Sequence, residues 1–304
     1  MKAPSYASSA TKPDSWAESL RSYGIMMKPS IGMFVVITVI PSLIMAEHTL
    51  PAPLLAMATL LGTFLATSSA GMFNHLIDIR YDSIMERTKG RPLPLGAVSP
   101  QSAVIIASIL GISSFVLLFS LSSPLAAWIA VGANAFYVLA YTMYLKPRTV
   151  QNIVIGGAAG SVGPLIGWAA VTQNIGWPAW VLFLVIFLWT PPHFWALAIK
   201  YKDDYKSAGI PMLPSVKGVR VTKNNIFAYT ILLIPAVASL WYFGAAGYFY
   251  LAVSGLLTLR FCQLAYRLLR SKDESMAMGV FYFSLLFILG VFVSLTIDRV
   301  MSIY

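Results

Sequence analysis

Charge is what this sequence has little of. Only 11% of its residues are Asp, Glu, Lys or Arg, against about 25% in an average soluble domain. In a chain of 304 residues that is 58% hydrophobic, this shortage excludes a water-covered surface around one apolar core. Cysteine is almost missing as well. The lone Cys262 excludes an internal disulfide, and the chain has neither a CxxCH for covalent haem attachment nor a zinc-ligand pattern. Short alternating strands, the mark of a membrane β-barrel, are absent. Acids are scarcer than bases, 11 Asp and Glu against 21 Lys and Arg. That imbalance needs no nucleic-acid partner, because the basic residues follow a membrane topology.

What the chain does have is apolar length. Nine stretches, near 30–46, 54–73, 102–121, 125–145, 153–172, 177–199, 226–243, 246–266 and 276–296, are long enough to cross about 30 Å of hydrocarbon. The expected fold is an all-α membrane protein of nine transmembrane helices. The third to sixth stretches are joined by very short connections, which makes them antiparallel neighbours in a bundle. Every Lys and Arg except Arg260 and Arg299 lies in the N-terminal tail or after the second, fourth, sixth and eighth stretches. Positive charge marks the cytoplasmic side, so the N-terminus is expected inside and the C-terminus outside. The first twenty residues are polar, include Asp14 and Glu18, and resemble neither a signal peptide nor a transit peptide. Residues 1–27 are expected to form a disordered cytoplasmic tail, and residues 28–304 a single transmembrane domain.

The chemistry concentrates where the second stretch meets water. Asn74, Asp78 and Asp82 recur at i, i+4 and i+8. On an α-helix each such step turns by about 40°, so one face carries an amide and two carboxylates. Ionisable groups at the edge of a hydrocarbon layer are expensive and usually functional. Hard oxygens packed this closely suit Mg²⁺, and Mg²⁺ suits a diphosphate. Arg87, Lys89 and Arg91 follow and could clamp the same anion. The bland alternative is a helix end that has simply reached water.

Other segments are more ambiguous. Asp203 and Asp204 sit among lysines after the sixth stretch and form a candidate second acidic group, or an ordinary solvated cluster. Thr190-Pro191-Pro192-His193-Phe194-Trp195 interrupts the sixth stretch with two prolines that remove helical hydrogen bonds. His193 and Trp195 are candidates for contact with an acceptor substrate, although a buried histidine is most often a hydrogen-bonded structural residue. Lys146 and Arg148 end the fourth stretch as candidate phosphate ligands, or as plain interfacial charges. Gly156, Gly160, Gly163 and Gly167 form GxxxG spacings that point to close helix packing.

Taken together, NxxxDxxxD from Asn74, the downstream RTKGRPLP, and the blocks YTMYLKPRT, NIVIGGAAG, WTPPHFWAL and DYKSAGIPMLP resemble the UbiA-type intramembrane prenyltransferases. Within that family they are similar to the haem-farnesylating branch. The resemblance runs from about Lys28 to the end of the ninth stretch. It implies a nine-helix bundle around a central cavity in a bacterial cytoplasmic (inner) membrane. It also implies Mg²⁺-dependent transfer of farnesyl from farnesyl diphosphate to a vinyl group of haem b, giving haem O and pyrophosphate. On this reading Asn74, Asp78, Asp82 and Asp204 hold metal with Asp203 nearby, and haem b is substrate rather than cofactor. A haem A synthase or terminal oxidase assembly would take the product. The chain departs from the wider family at Lys200, where many relatives carry the first acid of a second DxxxD. Two other functions remain open from the residues alone. One is an aromatic prenyltransferase of the 4-hydroxybenzoate type, and the other a secondary transporter with broken helices.

Overall fold

The computed structural model describes residues 15–303, and every regular element among them is helical. Nine spans in this region are long and apolar enough to cross a membrane. They are α2 (Pro29–Glu47), α3 (Pro53–Asp82), α4 (Pro100–Leu121), a fourth span over Pro124–Leu145, a fifth over Asn152–Thr172, α8 (Trp177–Lys200), α11 (Val219–Tyr242), α12 (Tyr248–Arg270) and α13 (Met276–Met301). The sequence itself sets several starts. Pro29, Pro53, Pro100 and Pro124 each occupy the first turn, where a missing N–H costs nothing. Ser99 and Ser123 cap the next two spans by accepting the N–H of Ser102 and Ala126, each at 3.1 Å.

Two spans are irregular. The fourth starts as α5 (Pro124–Ala135) and continues as a π-helix over Phe136–Leu145, a form that is rare and concentrated at functional sites. The fifth is broken into α6 (Asn152–Gly160) and α7 (Gly163–Thr172), with Pro164 in the first turn of the second piece. The GxxxG expectation holds at three of its four glycines. A methyl on Gly156 would strike the Tyr141 ring, one on Gly163 the Thr38 hydroxyl, and one on Gly167 the Val39 carbonyl oxygen at 2.6 Å, whereas Gly160 has open space. Helix α8 runs through Pro191 and Pro192 as one element. The tandem prolines therefore do not end it, and Thr190 returns its hydroxyl to Ile186 O at 2.8 Å just before them.

The spans close into a ring. Helix α2 packs on α3 and α7, α3 on α4, α8 on α11 and α13, and α13 returns to α2. Large apolar residues such as Ile105, Ile109, Ile112 and Leu256 stay exposed on the outside, which suits hydrocarbon surroundings. The expected disordered tail needs correction over its second half. Trp16–Met26 form helix α1, capped by Ser15, which accepts the Glu18 N–H at 3.2 Å. The Ser15-x-x-Glu18 spacing is that of a capping box. Met26 is fully buried, and Tyr23 donates to Ser102 Oγ at 2.9 Å. The first 14 residues of that tail lie outside the described residues.

The connections that follow α3 and α8 are compact. Residues 83–98 form successive turns, while α9 (Lys202–Ser207) and α10 (Leu213–Val216) fold the other.

Candidate active site

Helix α3 outlasts its apolar stretch, and its last three turns carry the polar face. Asn74, Asp78 and Asp82 are all buried, with 4%, 1% and 2% of their surface exposed. A carboxylate so enclosed needs a counter-charge, and each of the three residues has a cationic partner from a different segment. Lys28 Nζ donates to Asn74 Oδ1, Lys146 Nζ pairs with Asp78 Oδ2, and Arg91 Nη1 reaches both oxygens of Asp82 at 2.9 and 2.7 Å. Asn74 Nδ2 in turn donates to Thr142 Oγ1 at 3.1 Å.

The π-helix supplies that opposing wall. Thr142 returns its proton to Tyr137 O at 2.8 Å, and Lys146 N closes a five-residue bond on Tyr141 O at 2.8 Å. The wide winding thus sets Thr142 against Asn74 and Lys146 against Asp78. Lys28 is also held in an unusual way. It has a left-handed backbone (φ 51°) at the start of α2, a conformation costly for any residue with a Cβ and common at functional sites. Its side chain is half-buried, and the surrounding protein, followed by the Arg91 guanidinium, lowers its pKa to about 7, with Asp78 opposing. An arriving anion would favour its charged form.

Two buried atoms in this cluster have no hydrogen-bond partner: Asp78 Oδ1 and His75 Nδ1. Lys28 also lines an apolar cavity of about 100 Å³, together with Tyr137, Ala66, Thr63 and Ile166. Lys28 is the one charged residue in that lining, so it joins the polar cluster to the apolar space.

The remaining candidates lie elsewhere. Asp204 accepts two backbone N–H groups, from Glu86 at 2.8 Å and Arg87 at 3.2 Å. It grips the turn that begins four residues beyond Asp82. Asp203 is exposed beside it. The Arg87 guanidinium lies 5.5 Å over the Tyr201 ring and donates to Tyr205 Oη at 3.4 Å, so it ties the same two connections together. Burial raises the Tyr205 pKa, and Arg87 partly offsets the shift.

Lys89 pairs with Glu86 at the surface. Arg148 donates to the carbonyls of Met143 and Tyr144 at 2.9 and 3.1 Å and stacks on the Tyr144 ring. Neither has a contact with the buried acids. His193 is sandwiched between Trp189 and Phe281 at 4.5 and 4.6 Å and bonds Ser284 Oγ through Nδ1 at 2.7 Å. This is the arrangement of a structural histidine. Trp195 is buried edge-on to Tyr229, with its N–H unpartnered. Neither lines the cavity.

Lys28 and Thr142 carry no local signal of a role at the site. Both reach Asn74 only through the packing of distant spans, although Thr142 stands four residues before Lys146 in a block already notable for its motif.

The donor set fits a hard divalent cation. An amide oxygen and two carboxylates share one face, one carboxylate oxygen is buried without a partner, and the groups now balancing them are lysine and arginine side chains from other segments. No group of three or more His, Cys, Asp or Glu residues is placed to cage a metal among the described residues. Mg²⁺ does not require one, since it keeps waters and substrate phosphates as ligands.

A membrane helical bundle with such a cluster beside an apolar cavity has the arrangement of an intramembrane enzyme. The profile described as the UbiA prenyltransferase family matches residues 35–292, and the chain belongs to that family. It is 44% identical over 283 residues to the "Protoheme IX farnesyltransferase" of Gloeobacter violaceus, covering 93% of each chain. It is 42% identical over 279 residues to the protein of the same name from Leptospira biflexa, covering 91% of this chain and 98% of that one. Among solved structures, a digeranylgeranylglyceryl phosphate synthase superposes with a TM-score of 0.77 at 20% identity, covering 93% of this chain and 99% of that one. A UbiA homolog from Archaeoglobus fulgidus bound to GPP and Mg²⁺ gives 0.64 at 15% identity, covering 90% and 99%. These two likenesses establish the fold.

Proposed function

We propose that this prenyltransferase moves a farnesyl group from farnesyl diphosphate to a vinyl group of haem b, forming haem O and pyrophosphate. The observation that carries the head-group chemistry is the buried face of Asn74, Asp78 and Asp82, each held by a cation, one of which, Lys28, also lines the apolar cavity. The choice of farnesyl and haem rests on the 40–44% identical relatives of that name.

Asn74, Asp78 and Asp82 would hold Mg²⁺, which supplies neutralising charge to the diphosphate when bound. Lys28, Lys146 and Arg91 would exchange their present partners for phosphate oxygens. As the C–O bond breaks, its electron pair leaves with pyrophosphate, and the three cations stabilise the growing negative charge. The apolar cavity keeps water from the allylic cation until the vinyl carbon attacks. Water then adds to the resulting haem-side cation and releases a proton. Asp204, with Asp203 beside it, would act from the second connection by holding the 83–98 turns over the site.

The excess of basic residues on one set of connections supports a site on the cytoplasmic face, and on this reading the membrane is a bacterial inner membrane. A downstream haem A synthase or terminal oxidase assembly would consume the product. Membranes given haem b, farnesyl diphosphate and Mg²⁺ should yield haem with the mass of the hydroxyethylfarnesyl adduct. Prenylation of 4-hydroxybenzoate in place of haem would refute the acceptor, and metal-independent uptake without pyrophosphate release would refute the enzyme.

A further inference from the structure

Two voids meet at Asn134. One is the apolar cavity beside the acid cluster, of about 100 Å³. The other is a groove of about 560 Å³ between α3, α4 and the α5–π-helix span. Ala66, Ala130 and Asn134 line both. The Asn134 amide is pinned across this shared wall by one hydrogen bond, Nδ2 to Ala66 O at 3.2 Å. A single neutral bond of this kind is a weak restraint.

The groove is chemically suited to hydrocarbon. Two of its hydroxyls are already satisfied: Ser69 donates to Ala107 O at 2.8 Å and Ser114 to Gly62 O at 2.7 Å. Its floor is kept low by Gly111, where a methyl would come within 3.0 Å of Ser69 Oγ. Its rim residues Ile112 and Leu139 are exposed, so it opens sideways towards the bilayer.

Size then decides the occupant. Pockets that enclose drug-sized ligands run from roughly 300 to 1,000 Å³. The cavity falls below that range and the groove falls within it. An isoprenoid chain whose diphosphate sits on the acid cluster outgrows the cavity, and the adjoining apolar space lies past Asn134. We infer that the α3–α4–α5 groove is a second subsite, which receives the distal part of the isoprenoid chain past Asn134 as its gate. This rests on the prenyl-transfer reading above.

The test measures kcat/KM of the purified full chain with haem b and geranyl, farnesyl or geranylgeranyl diphosphate. Ser108→Phe obstructs the groove without touching the cavity lining. It should lower kcat/KM for farnesyl relative to geranyl on the order of tenfold, the scale at which methylene contacts are discriminated. Ile112→Trp at the exposed rim gives a second obstruction that leaves the core packing alone, and the same ratio should fall. Asn134→Ala removes the gate and should raise geranylgeranyl relative to farnesyl severalfold. Ratios that stay at the wild-type values in variants that still turn over would overturn the subsite. If native mass spectrometry also finds a phospholipid lost from Ser108→Phe, the groove belongs to a membrane lipid and the inference fails. A wild type that transfers no prenyl group refutes the underlying reading instead.

Discussion

At Asp78 a single carboxylate answers to two demands. One oxygen is paired with Lys146 and the other is buried without a partner, so the group is more exposed to chemistry than its neighbours despite being fully enclosed. Asp78→Asn keeps the shape and removes the charge. Turnover should fall by about 10²–10³, the range seen when one preorganised electrostatic group is lost, while the protein remains folded and membrane-inserted. Near-normal turnover would dismiss the metal assignment. Asp204 makes the opposite prediction. Because its oxygens accept Glu86 and Arg87 N–H groups, Asp204→Ala should loosen the 83–98 turns. Limited proteolysis there should quicken and kcat should drop, with the Mg²⁺ concentration for half-activity unchanged; a rise in that concentration would restore Asp204 as a ligand. The Asn74 face was legible because side chains four apart on a helix must align. Lys28 and Thr142 were not, since they meet Asn74 across sequence separations of 46 and 68 residues.

Elements show where local rules suffice and where packing decides. The apolar lengths place every span, yet α3 reaches Asp82 and α11 begins at Val219, several residues beyond the hydrophobic stretches. A helix continues past the hydrocarbon edge when its polar residues find partners, and hydropathy does not report those. Helix α1 had its own signal in the Ser15–Glu18 capping box, which the surrounding polar composition masked. At the far end, Asp298 on α13 accepts the N–H of Gly247 at 2.6 Å and of Tyr250 at 3.2 Å, capping α12 from another span. Asp298→Ala should cost roughly 1–2 kcal/mol, the usual range for a lost cap, seen as a lower melting temperature in detergent. The activity of the folded fraction should be unchanged. Gly167→Val pushes side-chain atoms at the Val39 carbonyl, and a backbone atom cannot yield as a flexible side chain can. It should destabilise the α2–α7 contact by several kcal/mol or prevent accumulation in the membrane, measured as folded yield.

For the whole molecule, the orientation expected from charge is directly measurable. In a Cys262→Ser background, a cysteine at Ser83 should be shielded from a membrane-impermeant maleimide in intact cells, and one at Asn174 should react. The reverse pattern would invert the topology. Chelation should abolish prenyl transfer and added Mg²⁺ restore it, because the three cations now holding the acids cannot by themselves organise a diphosphate. The ring of spans was foreseeable only as a count. Which helices adjoin, and hence that α2, α3 and the π-helix together surround the site, depends on contacts such as Gly163 on Thr38 that no hydropathy profile contains.

The winding of the fourth span makes the contacts of the acid-bearing face depend on counting as much as on chemistry. An α-helix turns about 100° per residue. Deleting one residue between Phe136 and Leu145, and so letting that stretch relax towards α, would swing Lys146 away from Asp78 and Thr142 away from Asn74 together. No substituted side chain would be to blame. Away from Tyr137, Tyr141 and Thr142, this stretch would then tolerate replacement better than a change of length, so its mutational signature would be frame-sensitive as well as identity-sensitive.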